Sequence, residues 1–90
     1  MGFSVIQQPN GDWTVTQDHI VATVREVLAA EGTYVVHLRD QEVDVDLTGS
    51  TPIITARRDR TDLSRTAIGE LATNAAIYVR QHEDNGRPAH

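Results

Sequence analysis

The chain has 90 residues, of which 39% are hydrophobic, and this size predicts one domain with a core of its own. It contains no cysteine, which excludes thiolate catalysis, thiolate-bound zinc and disulfide bonds. The net charge of −5 opposes non-specific binding to nucleic acid or anionic lipid. All eight basic residues are arginine, so catalysis by lysine is excluded as well.

The sequence also bears on the cellular compartment. No apolar run reaches the roughly 18–20 residues that a membrane helix requires, and the first residues lack the pattern of a secretion signal. The absence of cysteine fits a reducing environment. We therefore expect a cytoplasmic protein that does not contact a membrane.

The first predicted element is a β-hairpin over residues 3–15. The runs "FSVIQQ" and "WTVT" flank "PNGD", and Asn-Gly between two strand-like runs favours a two-residue turn because both residues tolerate positive φ. Pairing about this turn sets Ile6 opposite Val15 and Gln8 opposite Trp13.

A helix is predicted next, over residues 17–31. Apolar residues recur here at spacings of three and four, which makes one apolar helical face: they are Ile20, Val21, Val24, Val27 and Leu28. Thr16 or Asp18 is a suitable N-terminal cap. Gly32 suits the left-handed residue that follows a last helical turn.

The stretch "TYVVHLRDQEVDVDLTGSTPIITARR" predicts three antiparallel strands in which apolar and polar residues alternate. A turn at Asp40–Gln41 would place Val43 and Val45 on an apolar face that points to the core. On the polar face, the predicted pairs are Arg39 with Glu42, His37 with Asp44, and Val35 with Asp46.

The connection "TGST" predicts the register of the next pair of strands. Val45 then lies opposite Ile54, and Glu42 lies opposite Arg57. A slip of one residue would carry charge into the core, so the pattern itself specifies this register.

A second helix is predicted from about Asp62 to residue 84, with Thr61 or Asp62 as its cap. Gly69 inside this helix costs about 1 kcal/mol relative to alanine and would permit close packing on a neighbour. Residues 85–90 are predicted to form a flexible C-terminal tail. The apolar stripe of the helix contains Leu63, Ala67, Leu71, Ala75 and Tyr78, widened by Ile68, Ala72 and Val79.

These elements predict an α+β fold in the order ββ-α-βββ-α, a two-layer sandwich with two helices on one face of an antiparallel sheet. Residues 1–84 would form the single domain. The α-β-β-β-α order over residues 17–84 resembles the double-stranded-RNA-binding domain, a family that also places basic residues at the start of its second helix. The run of lysines found in that family is absent from this chain.

The stretch "EVDVDL" gives the first candidate site, a polar sheet face that could bind a partner. Its carboxylates are best explained as cross-strand ion partners, each pair contributing about 0.2–1 kcal/mol. The only cluster that could bind a metal is His37 with Asp44 and Asp46, but a hydrogen bond between His37 and Asp44 explains the same residues. No metal or cofactor is therefore expected. The candidate face comprises His37, Arg39, Glu42, Asp44 and Asp46.

The stretch "ARRDRTDLSR" gives the second candidate site, because arginines surround the predicted start of the second helix, where free N–H groups favour anions. Asp59, Asp62 and Glu42 could instead neutralise these charges, and mixed-sign runs are usually solvated. The candidate anion-binding residues are Arg57, Arg58, Arg60 and Arg65.

The motifs of common enzyme classes are missing: the chain has neither a Gly-x-Ser-x-Gly elbow nor a phosphate-binding loop. We therefore expect no catalytic activity. The sequence predicts a small interaction or regulatory module that binds a protein partner or itself, a role common among small acidic phage and bacterial proteins. A homodimer is expected somewhat more than a monomer. The alternative is binding of nucleic acid or phosphate through the arginines at 57–65.

Overall fold

The computed structural model describes residues 2–85, which form six strands followed by one helix. All six strands form one antiparallel sheet in which each strand pairs with the next along the chain. The elements are β1 (Phe3–Gln7), β2 (Trp13–Gln17), β3 (Ile20–Glu26), β4 (Thr33–Leu38), β5 (Gln41–Asp46), β6 (Ile53–Ala56) and α1 (Ala67–Asn85).

The predicted order ββ-α-βββ-α, with two helices, is wrong. Residues 17–31 form no helix and instead contain strand β3, which lies between β2 and β4 in the sheet. Ala22 and Val24 are buried, whereas their neighbours Val21, Thr23 and Arg25 are exposed. This alternation with a period of two is the pattern of a strand that has one face on the core. The fold is a six-stranded sheet with a single helix on one face.

The helical prediction failed because the spacing of apolar residues in this segment fits two periods. Four of the seven residues of β3 are β-branched, a composition that favours strands. Leu28, counted on the predicted helical face, is 90% exposed in the β3–β4 connection. The resemblance to the double-stranded-RNA-binding domain required this helix, so it does not hold.

The first hairpin is present, but its register differs from the prediction by one residue. Val5, rather than Ile6, lies opposite Val15. The loop has five residues instead of a two-residue turn at Asn10–Gly11, and only Gly11 has a positive φ, of 95°. The side chain of Asn10 accepts the N–H of Asp12 at 3.0 Å, which stabilises this wider loop.

Strands β4, β5 and β6 confirm the predicted faces and one of the two predicted registers. Val45 lies opposite Ile54, as predicted. Between β4 and β5 the register is shifted by two residues, so the same side chains face the core but the cross-strand partners change. The turn lies at Arg39–Asp40 instead of Asp40–Gln41, and Arg39 takes the left-handed conformation, with φ 57°.

The helix begins five residues later than predicted. Its cap is Thr66, whose Oγ1 accepts the N–H of Gly69 at 3.0 Å. The predicted close packing at Gly69 is present: a Cβ there would overlap the carbonyl oxygen of Leu63. The helix ends at Asn85, and the rest of the predicted tail, residues 86–90, lies outside the described residues.

The core lies between the helix and one face of the sheet. Gln17 is the buried polar residue of this layer, and its side-chain amide donates to the carbonyl of Leu71 in α1 at 3.1 Å. Within residues 2–85, no helix is long and apolar enough to cross a membrane. Buried side chains of the core include Trp13, Val15, Val24, Tyr34, Val36, Leu38, Val43, Val45, Leu47, Ile54, Ala72, Ala76 and Val79.

Candidate functional site

Within residues 2–85, α1 covers one face of the sheet and no helix covers the opposite face. Because side chains alternate along each strand, this uncovered surface presents the residues that lie between the core positions. We call it the open face. Its strand residues are Ser4, Ile6, Thr14, Thr16, Val21, Thr23, Arg25, Thr33, Val35, His37, Glu42, Asp44, Asp46, Ile53 and Thr55.

Four of the five residues predicted for the polar face lie on the open face, but their neighbours differ from the predicted ones. His37 lies opposite Glu42 rather than Asp44, and Asp44 lies opposite Val35. The shift of two residues between β4 and β5 accounts for both changes. Arg39, the fifth predicted residue, lies in the β4–β5 turn at the end of the sheet.

The charges of the open face are engaged mainly with one another. Arg60 donates to Asp44 at 2.6 Å. Arg57 lies between two carboxylates, 3.8 Å from Asp44 and 3.9 Å from Glu42, and the Glu42–Arg57 neighbourhood is the one predicted. These side chains are partly exposed, so each pair contributes at most about 1 kcal/mol. A further pair, between Arg25 and Asp12 at 3.3 Å, extends the same face across β3.

Asp46 is held by the turn that follows β5 rather than by a cross-strand partner. Its carboxylate accepts the hydroxyl of Thr48 at 2.5 Å and the N–H of Thr48 at 2.9 Å. These two hydrogen bonds favour the ionised form and lower the pKa of Asp46 below its usual value. Among the described residues, no group of three or more His, Asp or Glu side chains is close enough together to hold a metal ion.

The four arginines predicted to bind anions all lie in the connection between β6 and α1. Arg57 and Arg60 point to the open face, where they contact Asp44. Arg58 is exposed in the β6–α1 connection, and Arg65 is exposed two residues before Ala67, the first residue of the helix. The prediction depended on a helix that starts near residue 62, whereas the helix starts at Ala67.

The aspartates of the β6–α1 connection accept hydrogen bonds from residues of that same connection. Asp59 accepts the N–H of Thr61 at 3.1 Å, and Asp62 accepts both the N–H and the hydroxyl of Ser64. In both cases the hydrogen bonds from the following Thr or Ser lower the pKa of the carboxyl group below its usual value. These aspartates therefore stabilise turns, and the predicted role as counterions of the arginines is secondary.

Two open depressions lie side by side on the open face, with volumes of about 390 and 480 Å³. Val35 and Arg57 line both of them. Their walls combine aliphatic side chains, threonine hydroxyls and paired charges, so the surface offers shallow mixed contacts rather than an enclosing cavity. A surface of this kind can contact another macromolecule over several strands.

Sequence reasoning missed the part of the open face to which β2 and β3 contribute. Its residues were assigned to a helix or to the end of a hairpin. Two signals could have identified them. One is the alternation of polar and apolar residues at Thr14, Val15 and Thr16, and the other is the β-branched composition of β3. The missed residues are Asp12, Thr14, Thr16, Val21, Thr23 and Arg25.

Comparisons of the chain with protein-family models, with curated proteins and with solved structures found no match.

Proposed function

We propose that this protein is a non-catalytic interaction module that binds a partner protein through the open face of its sheet. The observation that carries this proposal is that α1 packs on one face of the sheet. A six-stranded sheet has two large faces, and the only helix within residues 2–85 packs on one of them.

The composition of the open face supports a protein partner. Exposed aliphatic side chains stand on it, with Val21 at 56% and Ile53 at 61% of their full exposure. Five threonines on the same face present methyl groups as well as hydroxyls: Thr14, Thr16, Thr23, Thr33 and Thr55. Protein interfaces commonly combine apolar contacts with a limited number of hydrogen bonds in this manner.

The charges of the open face define the chemistry of the partner. Arg25, Arg57 and Arg60 are paired with carboxylates at 2.6–3.9 Å, so their charges largely cancel. A strongly charged partner would have to break these pairs and would gain little net attraction in return. We therefore expect a partner surface that is close to neutral and exposes aliphatic side chains.

The proposal is tested by capturing the partner from the native host and reconstituting the complex from purified proteins. Thr23→Arg places a long charged side chain at the centre of the open face and should weaken binding by at least about tenfold. Thr51→Arg is the matched control, because Thr51 is also exposed but lies in the β5–β6 connection. We expect it to bind within about twofold of the unmodified protein.

Two results would contradict this proposal. One is that no captured protein forms a complex when purified and mixed. The other is that Thr23→Arg binds as tightly as the unmodified protein. Circular dichroism and thermal melting of both variants, which change exposed positions only, establish that the fold is retained.

Binding of nucleic acid or phosphate through the arginines at 57–65 is the alternative. The pairing of Arg57 and Arg60 with Asp44 weakens its support, because two of the four arginines already have a carboxylate partner. If it holds, labelled double-stranded RNA or DNA should bind at low salt with an affinity that falls steeply as salt is added.

The cytoplasmic location also stays a proposal, supported by the absence of cysteine from the sequence.

A further inference from the structure

The two edges of the sheet differ in whether their backbone groups have partners. The outer edge of β6 is covered by the connection that follows it. There, the N–H of Ala56 donates to the carbonyl of Thr61 at 2.8 Å, and the N–H of Leu63 donates to the carbonyl of Ile54 at 2.9 Å. Within residues 2–85, no segment pairs with the outer edge of β1. Of the two edges, β1 is therefore the one that is open to another strand.

The backbone groups on the outer edge of β1 belong to its odd-numbered residues. At the two ends of the hairpin, Gly2 accepts a backbone hydrogen bond at 2.9 Å and Gln8 donates one at 2.7 Å. Hydrogen bonding to one neighbour recurs at every second residue of an antiparallel strand, and the β1–β2 register is continuous. The N–H and C=O groups of Phe3, Val5 and Gln7 consequently point away from the sheet.

The side chains of β1 include none of the features that usually protect an edge strand. The strand has the sequence FSVIQ, without charge or proline, and the continuous register shows that it has no bulge. Phe3 and Ile6 are each 57% exposed. Phe3 stacks on Tyr78 of the helix, with ring centroids 4.1 Å apart, which fixes this end of the strand in place.

We infer that β1 pairs with β1 of a second copy of this chain, which joins the two sheets into one continuous twelve-stranded sheet. The pairing is antiparallel, with Val5 opposite the partner's Val5 on the twofold axis. Phe3 then lies opposite the partner's Gln7, and all outward N–H and C=O groups of the three odd-numbered residues are satisfied.

The choice of a second copy follows from symmetry and charge. The outward residues are evenly spaced about Val5, so one strand supplies both halves of an isologous interface. Each chain carries a net charge of −5, which opposes self-association in general, but the uncharged strand FSVIQ brings no like charges into direct contact. A contact of five residues a side is small, so we expect a dissociation constant on the order of 10–100 μM.

The dimer is tested by sedimentation equilibrium at protein concentrations from about 5 to 500 μM, a range that brackets the expected dissociation constant. The apparent mass should rise from the 9.9 kDa of one chain toward twice that value. Val5→Pro removes an outward N–H that has no strand partner among the described residues, and proline is tolerated on edge strands. It should weaken the dimer by at least about tenfold.

A second pair of variants keeps the test valid if Val5→Pro perturbs the fold. Ile6→Lys places a charge on the β1 edge and should also weaken the dimer at least about tenfold. Ile53→Lys is its matched control, since Ile53 is similarly exposed but lies on β6. We expect this control to dimerise within about twofold of the unmodified protein.

Amide hydrogen exchange provides an independent measurement. The amides of Phe3, Val5 and Gln7 should become protected as the protein concentration rises, whereas those of Ser4 and Ile6 should be protected at every concentration. A mass that stays at 9.9 kDa up to 500 μM would overturn the inference. A dimer that Ile53→Lys disrupts and Ile6→Lys does not would also overturn it, and neither result bears on partner binding at Thr23.

Discussion

Asp44 and Val45 are adjacent in the sequence but lie on opposite faces of β5. Val45 is fully buried, whereas Asp44 is on the open face with two arginines nearby. Asp44→Asn should therefore change the free energy of unfolding by no more than about 1 kcal/mol, the usual contribution of exposed ion pairs. Val45→Asp should cost at least about 3 kcal/mol because it buries an unpaired charge. Urea unfolding of both variants measures the difference, and similar losses would contradict the assignment of faces.

Tyr34 predicts how the stability changes at high pH. Burial, followed by the nearby charges of Glu83 and Glu26, raises the pKa of Tyr34 to about 12. The folded protein therefore retains this proton where the unfolded chain, with a tyrosine pKa near 10, has released it. The stabilisation is fully present below pH ~10 and is lost as the pH rises toward ~12.

The sequence makes this pH range easy to interpret, because the chain has neither lysine nor cysteine and contains two tyrosines. Urea unfolding at about pH 9 and pH 11 should show a larger loss of stability for the unmodified protein than for Tyr34→Phe, which has no proton to release at this position. Equal losses for the two proteins would show that Tyr34 is not the group responsible.

At the scale of elements, the contact between α1 and the segment before it depends on Gly69. A Cβ at this position would overlap the carbonyl oxygen of Leu63, which also accepts the hydroxyl of Thr66 at 2.8 Å. Gly69→Ala should lower the free energy of unfolding by at least about 2 kcal/mol, since the backbone must move, although alanine is the better helix former by about 1 kcal/mol.

The control for this substitution is Glu70→Ala in the same helical turn, where the side chain is exposed. It should change the stability by no more than about 0.5 kcal/mol. Thermal melting and urea unfolding compare the two variants. If Gly69→Ala were as stable as the unmodified protein, the close contact with Leu63 would be incorrect.

Elements were predictable from the sequence where only one periodicity fits. The β5–β6 register follows from the strict alternation of acids and aliphatic residues, because any slip by one residue buries a carboxylate. The β4–β5 register could not be obtained in this way, since a shift of two residues leaves every side chain on its face. Only the turn decides it, and the turn uses Arg39 at positive φ, which no local sequence rule favours.

The segment from Ile20 to Leu28 marks the limit of prediction for both the fold and the candidate site. Ile20, Val21, Val24, Val27 and Leu28 fit a helical spacing, while Ile20, Ala22 and Val24 fit a strand spacing. Pairing with β2 and β4 on both sides decides between them. That pairing is tertiary information. Once the segment was taken as a helix, Val21, Thr23 and Arg25 could not be recognised as part of the open face.

At the scale of the whole molecule, the two proposed surfaces are geometrically independent. The open face lies on the sheet side away from α1, while the β1 edge lies in the plane of the sheet. A second copy joined at β1 would leave Thr23 and Val35 uncovered, because they lie on β3 and β4. The dimer would therefore present two open faces side by side and could bind two copies of a partner protein.

Methyl cross-saturation in the reconstituted complex tests whether the partner binds the open face, because it identifies the methyl groups that contact the partner. When the partner's protons are irradiated, the methyl signals of Thr14, Thr23 and Val35 on the open face should lose intensity. Those of Ala67 and Ile77 on α1, on the other side of the sheet, should keep theirs. Loss of intensity at Ala67 and Ile77, with the open-face methyl signals unchanged, would contradict binding through the open face.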